Sequence, residues 1–436
     1  MTGLLRPGQT VGTVGSPSKC KVVRLLGGGG QGEVYEADLG GRPVALKWYF
    51  AHTATAQQRR ALEPLITKGS PTEQFLWPLF LAEERGVPGF GYLMALREQR
   101  FKSTSDLMTR RIEPTFRCVA TACFGLASAF LELHAKGLCY RDISFTNVFI
   151  DPNAGDIRIC DNDNVGIDRA TDAAVGGTPR FMAPEIVRCE QKPCRETDQY
   201  SLAVLLFYML VMHHPLEGAH EAAIRCMDVP AMTKLYGKEP RFIFDPGNPS
   251  NAPVPGLHDN AIEFWPLYPS FLRALFVHSF TQGLADPQRR VTDSQWRKAL
   301  VRLRDAIMHC DRCGSELFYE ADPAEAAGRR CWSCRAPLHN PWRITIGGQA
   351  VVLNGDTRLY PHHLQATPTY DFSAPMAEVS QHPTDPNTWG LKNTSSVAWT
   401  TTTASGDVLE VAPGRSLKLA LGARVSFGSV EGVIEG

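Results

Sequence analysis

Long apolar runs are missing from this sequence. The longest, residues 200–212, holds 13 residues and includes Ser201. A membrane-spanning helix needs about 20, so this run reads as a buried helix. Net charge is missing too: Lys+Arg and Asp+Glu stand at 45 each in 436 residues, so no global field favours nucleic acid or an anionic membrane. Residues 1–18 have no continuous apolar segment of the signal-peptide kind and are rich in glycine, threonine and proline instead. Nor is there a disulfide framework. Eight of the twelve cysteines are scattered, several inside apolar stretches, and Cys310, Cys313, Cys331 and Cys334 alone form tight pairs. That usage fits a reducing compartment, and a cytoplasmic protein is expected. What remains is ordinary globular composition, 43% hydrophobic and 21% charged, in a chain too long for one core. At about 150 residues per domain, two to four domains are expected.

Patterning along the chain changes character several times. Residues 20–50 alternate short β-rich runs with glycine turns, as hairpin-connected antiparallel strands do. Residues 53–68 are helix-like, with Pro64 expected to end or kink that helix, and residues 77–96 return to short strands. From Thr115 the period becomes helical, through Val119, Cys123, Leu126, Phe130, Leu131 and His134. A loop with two short strands follows, then helices to about residue 308. Strands first and helices afterwards is the order of a two-lobed α+β protein. Residues 309–340 are compact and bear cysteines. Beyond them, short Val/Leu/Thr runs separated by glycine turns give an all-β signature.

Three motifs carry chemistry. Gly27, Gly28, Gly29, Gly30 and Gly32, followed by Val34, contain G-x-G-x-x-G; such a loop lets backbone N–H groups approach phosphates where a Cβ would collide, although a linker or a dinucleotide-binding turn looks similar. The strand Val44-Ala45-Leu46-Lys47 then delivers a lysine 15 residues after Gly32. In an apolar run an unpaired ammonium is costly, so Lys47 calls for a carboxylate and a phosphate. Glu63, on the helix-like segment, is the best candidate for that carboxylate, with Glu73 the weaker one. The most specific signal is residues 140–148. The D-x-x-x-x-N spacing of Asp142 and Asn147 puts a carboxylate where it accepts a hydroxyl proton and an amide oxygen where it ligates Mg²⁺. Asp161, at the end of the strand 157–160, is placed for the same ions. Gly177-Thr178-Pro179 and Ala183-Pro184-Glu185 follow.

With these motifs in order, residues 20–308 resemble the eukaryotic-like protein kinase family, including Asp198 and Arg290 as its later landmarks. The resemblance implies a two-lobed kinase fold with Asp142 as catalytic base, Asn147 and Asp161 holding Mg²⁺, and Lys47, positioned by Glu63, on the ATP phosphates. Val34, Ala45 and Met94 join the glycine loop around ATP. It also implies a Glu185–Arg290 ion pair and an Asp198 that anchors the catalytic-loop backbone. Thr178-Pro179 resembles the substrate loop of Ser/Thr kinases. Arg141 beside Asp142 fits phosphorylation of the activation segment at Thr171 or Thr178, the bland alternative being that both are structural hydroxyls.

Three positions depart from the family. Tyr140 replaces the usual histidine. Ser144 stands where a lysine contacts the γ-phosphate. Asp161-Asn162-Asp163 stands where the family reads D-F-G. Asn162 does not suit the apolar slot of the phenylalanine, and Asp163 reads either as an extra metal ligand or as a turn former. No lysine or carboxylate that pseudokinases usually lose is lost here, so an active Ser/Thr kinase is expected, with a nucleotide-binding pseudokinase scaffold as the alternative.

Cys310-x-x-Cys313 and Cys331-x-x-Cys334, with 17 residues between the pairs, have the spacing of a tetrahedral structural Zn²⁺ site, a redox site being the alternative. About 30 residues cannot bury a core, so metal would supply the folding energy. This zinc ribbon lacks a clear basic cluster, so a spacer or docking role suits it better than nucleic-acid binding. Residues 341–436 loosely resemble a forkhead-associated (FHA) sandwich. Gly348, Tyr360 and Pro361 occupy its phosphothreonine-reading places, and His363 and Asn393 remain; a degenerate docking module is expected. The whole order resembles bacterial kinases of tellurium-resistance-linked triads, partnered by a metal-dependent protein phosphatase and a von Willebrand A-type protein. The domains expected are therefore an extension (1–19), a kinase domain (20–308), a zinc ribbon (309–340) and an FHA-like β-sandwich (341–436).

Overall fold

Glycine turns divide the N-terminal part of the chain into six strands: β1 (Thr10–Thr13), β2 (Lys19–Gly28), β3 (Gly32–Leu39), β4 (Pro43–Tyr49), β5 (Phe80–Glu83) and β6 (Gly91–Ala95). The computed structural model describes residues 3–169, 177–365, 369–385, 388–403 and 405–436. The six strands close into a barrel in the order β1-β2-β3-β4-β6-β5. The side-chain period of two divides β4 between two cores. Val44, Leu46 and Trp48 join Leu5, Val11, Val22, Tyr35 and Leu93 in one. Ala45 and Tyr49 join Leu62, Leu76, Leu81, Tyr92 and Met94 in the other. Lys47 alternates with them and therefore shares the side of Ala45 and Tyr49.

The barrel corrects the expectation of a mere extension at residues 1–19. Strand β1 pairs with β2 through Val11↔Cys20 and with β5 through Gly12↔Glu83, and Leu5 and Val11 are buried. Helix α1 (Ala56–Lys68) is capped by Thr55, whose hydroxyl accepts from the Gln58 N–H at 3.1 Å, and stops at Gly69 with φ 71°. Pro64 does not end it. It sits inside the helix, where it removes one backbone donor.

Short elements then frame the catalytic loop: β7 (Lys102–Ser103), α2 (Thr104–Met108), α3 (Phe116–Ala135), β8 (Leu138–Cys139), β9 (Val148–Ile150), β10 (Ile157–Ile159) and β11 (Gly166–Ile167). Strand β9 pairs with β10 and β7, and β8 with β11. After α4 (Pro184–Val187) comes α5 (Arg195–Val211), buried from Thr197 to Val211, as the apolar run 200–212 led one to expect. Helix α3 is long and apolar enough to cross a membrane by length and composition, yet 61% of that stretch is buried among protein side chains. It forms part of the core.

The chain divides into two compact units, Met1–Trp265 with Ala274–Arg297, and Pro266–Arg273 with Lys298–Gly436. In the second unit a hairpin, β12 (Ile307–His309) and β13 (Glu316–Phe318), carries the first cysteine pair at its turn. Ten further antiparallel strands follow: β14 (Arg343–Ile346), β15 (Gln349–Val352), β16 (Arg358–Leu359), β17 (Ala377–Gln381), β18 (Trp389–Asn393), β19 (Trp399–Thr402), β20 (Val408–Val411), β21 (Ser416–Lys418), β22 (Arg424–Ser426) and β23 (Glu431–Glu435). They form a six-stranded sheet, β15-β14-β23-β22-β19-β20, and a four-stranded sheet, β16-β17-β18-β21. Both sheets contribute to one core around Ile344, Leu391, Trp399, Val425 and Ile434. The cysteine-bearing segment is not a free-standing domain. Met308, Cys310, Leu317 and Cys331 share a core with Val352 of β15, and the Asn354 amide donates to the Ile307 carbonyl at 2.8 Å.

Candidate active site

Strands β4 and β6 pair in the register Ala45↔Met94 and Lys47↔Tyr92, so Lys47, Tyr49 and Tyr92 emerge side by side. Val34 of β3 and Leu96 pack on the same apolar cluster as Ala45 and Met94. Lys47 is 5% exposed. Its Nζ lies 3.0 and 2.8 Å from the two carboxylate oxygens of Asp163, 3.3 Å from Asp161 Oδ1 and 3.3 Å from Gln31 Oε1. The Asp163 carboxylate is fully buried and also accepts from the Tyr49 hydroxyl at 2.5 Å and the Tyr92 hydroxyl at 3.1 Å.

This overturns the expected Lys47–Glu63 pair. Glu63 is half exposed and lies 3.4 Å from Arg59, one helical turn earlier in α1. Glu73, the weaker candidate, is not among the acceptors of Lys47. Asp163 is neither an extra metal ligand nor a plain turn former, because four donor contacts already occupy its oxygens. The signals that could have found it were the acidic residue where the family reads glycine, and Tyr49 two residues beyond Lys47 on the same strand face.

Burial works against the charge on Lys47, but Asp163 and Asp161 outweigh it and hold its pKa above the ordinary value. Burial likewise pushes Asp163 up, and the Lys47 charge with the three donors more than reverses this, leaving its carboxyl below the usual range. Asp161 differs. Burial, with Asp163 and Asp142 nearby, raises it despite Lys47, and its side chain is 45% exposed. A carboxylate in that position gains from a second cation.

Asp161 opens a 3₁₀ turn, Asn162–Asn164, with φ +50°, a left-handed conformation that aspartate tolerates better than most residues. Asn162 is buried after all. Its amide donates to the Ile159 carbonyl at 3.0 Å, and its Oδ1 has no partner. In the catalytic loop, the Asn147 amide donates to the Asp142 carbonyl at 2.8 Å and to its Oδ2 at 3.1 Å. Asp142 Oδ1 accepts from the Thr178 N–H at 3.0 Å and hydroxyl at 2.9 Å. Thr178, a candidate phosphorylation site from sequence, is thus engaged by the carboxylate expected to act as base. Thr171 lies outside the described residues. The Ser144 hydroxyl is buried, 3.0 Å from that of Thr146.

The glycine loop holds glycines for two reasons. A Cβ on Gly32 would sit 2.1 Å from the Trp48 carbonyl, so close strand approach demands glycine there. At Gly27, Gly29 and Gly30 a Cβ would meet no protein atom within 4 Å, and Gly28 would make only ordinary contacts. None of these has a positive φ, so the chain's own packing does not require them. A loop without side chains lets its backbone approach the phosphates of a nucleotide closely. This loop, the half-exposed Asp161 and the Asn147 amide oxygen together fit Mg²⁺ and ATP.

Beneath the loop, Asp198 accepts from the Tyr140 N–H at 2.5 Å and the Arg141 N–H at 2.9 Å. The Tyr140 ring takes the histidine's place by bonding the Cys160 carbonyl and meeting Phe130 edge to face. His134 bridges Asp198 at 3.1 Å and Asp293 at 2.8 Å. Glu185 and Arg290 form a buried two-point ion pair at 2.7 and 2.8 Å, as the resemblance implied.

The protein kinase domain family matches residues 20–265, more than half of the chain. The chain belongs to the protein kinase family. Among curated relatives, a putative protein kinase C delta type homolog from Drosophila melanogaster is 37% identical over 100 residues, covering 22% of this chain and 14% of that protein. Serine/threonine-protein kinase N3 of Mus musculus is 34% identical over 141 residues, 30% of this chain and 16% of that protein. Protein kinase C delta type of Rattus norvegicus is 33% identical over 121 residues, 26% of this chain and 17% of that protein. The aligned stretches thus span less than a fifth of these three relatives' length.

His134 sets the expected pH response of this kinase domain. Burial lowers its pKa, but the bonds to Asp198 and Asp293 raise it to about 9, against about 6.5 for an unperturbed imidazole. The folded state binds this proton more tightly, so the stabilisation is complete below pH ~6.5 and lost as pH rises through ~9. Thermal melts at pH 6.5 and 9.5 are expected to show a drop for wild type that is absent in His134→Gln. Equal drops in both would contradict the bridge.

Proposed function

We propose that this kinase is active and transfers the γ-phosphoryl group of ATP to serine and threonine hydroxyls of protein substrates, itself included. The observation that supports this best is the convergence of Asp142, Asn147, Asp161 and Lys47 with Thr178 seated on Asp142. In this reading Asp142 orients the acceptor hydroxyl and takes its proton as the oxygen attacks phosphorus. Asn147 keeps the Asp142 carboxylate aimed and, with Asp161, presents oxygens to the metal. Asn147 and Asp161 would hold Mg²⁺, and the chemistry it would supply there is positive charge against the growing negative charge of the phosphates. Lys47 contacts the α- and β-phosphates. The backbone at Gly27–Gly32 covers the phosphates, and Val34, Ala45 and Met94 offer apolar surface to the base. Ser144 brings no charge to the γ-phosphate, where the family places a lysine. The competing reading, a nucleotide-binding scaffold, makes the opposite prediction for transfer.

Four clustered cysteine sulfurs with matching knuckles support a structural zinc ribbon. Their sulfurs all lie within 4.8 Å of one another. In each knuckle the residue after the second cysteine is left-handed, Gly314 at φ 72° and Arg335 at φ 59°, and donates to the first cysteine's carbonyl, at 2.8 and 2.9 Å. Sulfur pairs 3.6 Å apart are not disulfides, and four protein ligands leave no open position for catalysis. The β-sandwich is proposed as a degenerate, FHA-like docking module. His363 is tied to Tyr360 and Asp305, and Asn393 to Val397, Val411 and Ser395, which leaves neither for phosphothreonine. A cytoplasmic setting, supported by the cysteine usage, completes the proposal, and bacterial signalling with a metal-dependent phosphatase and a von Willebrand A-type protein as partners rests on resemblance of domain order alone.

With γ-labelled ATP, Mg²⁺ and protein substrate, Asp142→Asn is expected to lose at least ~100-fold in transfer. Transfer that survives in the variant would remove Asp142 from the role of base, and transfer absent from wild type would favour the scaffold. Elemental analysis of the purified chain is expected to find one zinc, lost in Cys313→Ser together with a lower melting temperature. A metal-free wild type melting at the same temperature would remove the ribbon.

A further inference from the structure

Protein kinases are usually described with the β-strand lysine held by a glutamate of the helix that follows. In this chain the helix offers no such contact. The Glu63 carboxylate lies against Arg59 and is half exposed, while α1 reaches the site differently, through Gln58, whose amide donates to the Tyr49 hydroxyl at 3.1 Å. Tyr49 in turn donates to Asp163. A chain of contacts therefore runs from α1 through Gln58 and Tyr49 to Asp163, and from Asp163 to Lys47.

Asp163 has the features of a built position. It is buried where a carboxylate would be costly if unpaired, and both of its oxygens are used, by one ammonium and two phenols. Tyr49 and Lys47 lie on one face of β4, and Tyr92 is the cross-strand partner of Lys47 on β6, so the barrel itself supplies the cradle. Asp163 is also two residues from Asp161, within a single 3₁₀ turn closed by the Asn164 N–H donating to the Asp161 carbonyl at 3.1 Å. The group that holds the lysine and the group offered to the metal therefore share one short, rigid piece of backbone.

We infer that Asp163, supported by Tyr49 and Tyr92, is the positioning residue that holds Lys47 for the nucleotide phosphates, in place of a glutamate on α1. The inference rests on the kinase reading above and deepens it. Its consequence concerns control. An outward shift of α1 costs the cradle the Gln58 hydrogen bond to Tyr49 but breaks no ion pair of Lys47, so the lysine keeps its carboxylate without α1 docking, and the spacing of Lys47 from Asp161 is set by the two-residue step to Asp163.

The test uses the full chain and two readouts: steady-state transfer as a function of Mg-ATP, and affinity for Mg·AMP-PNP by calorimetry. Asp163→Asn is expected to lower kcat/KM for ATP by ~100-fold, with AMP-PNP affinity also reduced. Tyr49→Phe and Tyr92→Phe each keep the ring and are expected to lose several-fold, while Glu63→Gln stays within about twofold of wild type. If Asp163→Asn does not fold, the two phenylalanine variants carry the test, and wild-type values in both overturn the inference. Tighter AMP-PNP binding by Asp163→Asn would make the pair a resting lock that nucleotide must break, and overturns it. So does a variant that melts lower but keeps wild-type constants, or a Glu63→Gln as impaired as Asp163→Asn. If wild type transfers no phosphate, the kinase reading fails by itself, and the order of AMP-PNP affinities still supports or overturns the role of Asp163.

Discussion

An ammonium taken out of water needs a carboxylate, and in this kinase domain Lys47 finds it in Asp163. The pair is buried on both sides, where losing one partner costs about 3–5 kcal/mol because the other is left as an uncompensated charge. Its environment follows from strand geometry. Alternation along β4 sends Lys47 and Tyr49 to one side, and the register with β6 sets Tyr92 opposite Lys47. Asp163 then sits among three donors. Asp161 stays close to Lys47 but partly in solvent. One carboxylate is thus neutralised by protein and the other remains available to an ion, a division of labour between two acids of a single turn.

The catalytic loop is held from the opposite side. Asp198 takes two loop N–H groups, and His134 carries charge between it and Asp293. Glu185 and Arg290 brace the segment after Thr178. Arg141 has φ 76°, a conformation that costs energy for a non-glycine residue and persists only where the surroundings enforce it. Here the enforcement is visible: its own N–H is bonded to Asp198, and a Cβ on Gly166 would collide with its guanidinium.

Residues whose spacing is set by chemistry were readable in advance. Asp142 and Asn147 must lie five apart to share a substrate hydroxyl and a metal, and Lys47 must sit on a strand beyond the glycine loop. The four cysteines were legible for the same reason, whereas Glu185 with Arg290 came from the family resemblance. The partner of Lys47 was not. A buried cation demands a carboxylate, but which of several answers depends on where α1 and the turn after β10 arrive, and no local pattern encodes that. Strand β1 was missed because its four residues are anchored by distant pairing with β2 and β5, amid Gly and Pro that read as a loose tail. Pro64 misled in the other direction: tertiary contacts of Leu62 and Leu65 keep α1 helical through it. The cysteine segment read as a separate module because its contacts to Val352 and Asn354 lie far along the chain.

The central claim is that Asp163 acts on nucleotide through Lys47. A double-mutant cycle on Mg·AMP-PNP affinity with Lys47→Met, Asp163→Asn and the double variant isolates that coupling. Asp163→Asn is expected to weaken binding when Lys47 is present and to change little once Lys47 is gone. An equal loss in both backgrounds would contradict it.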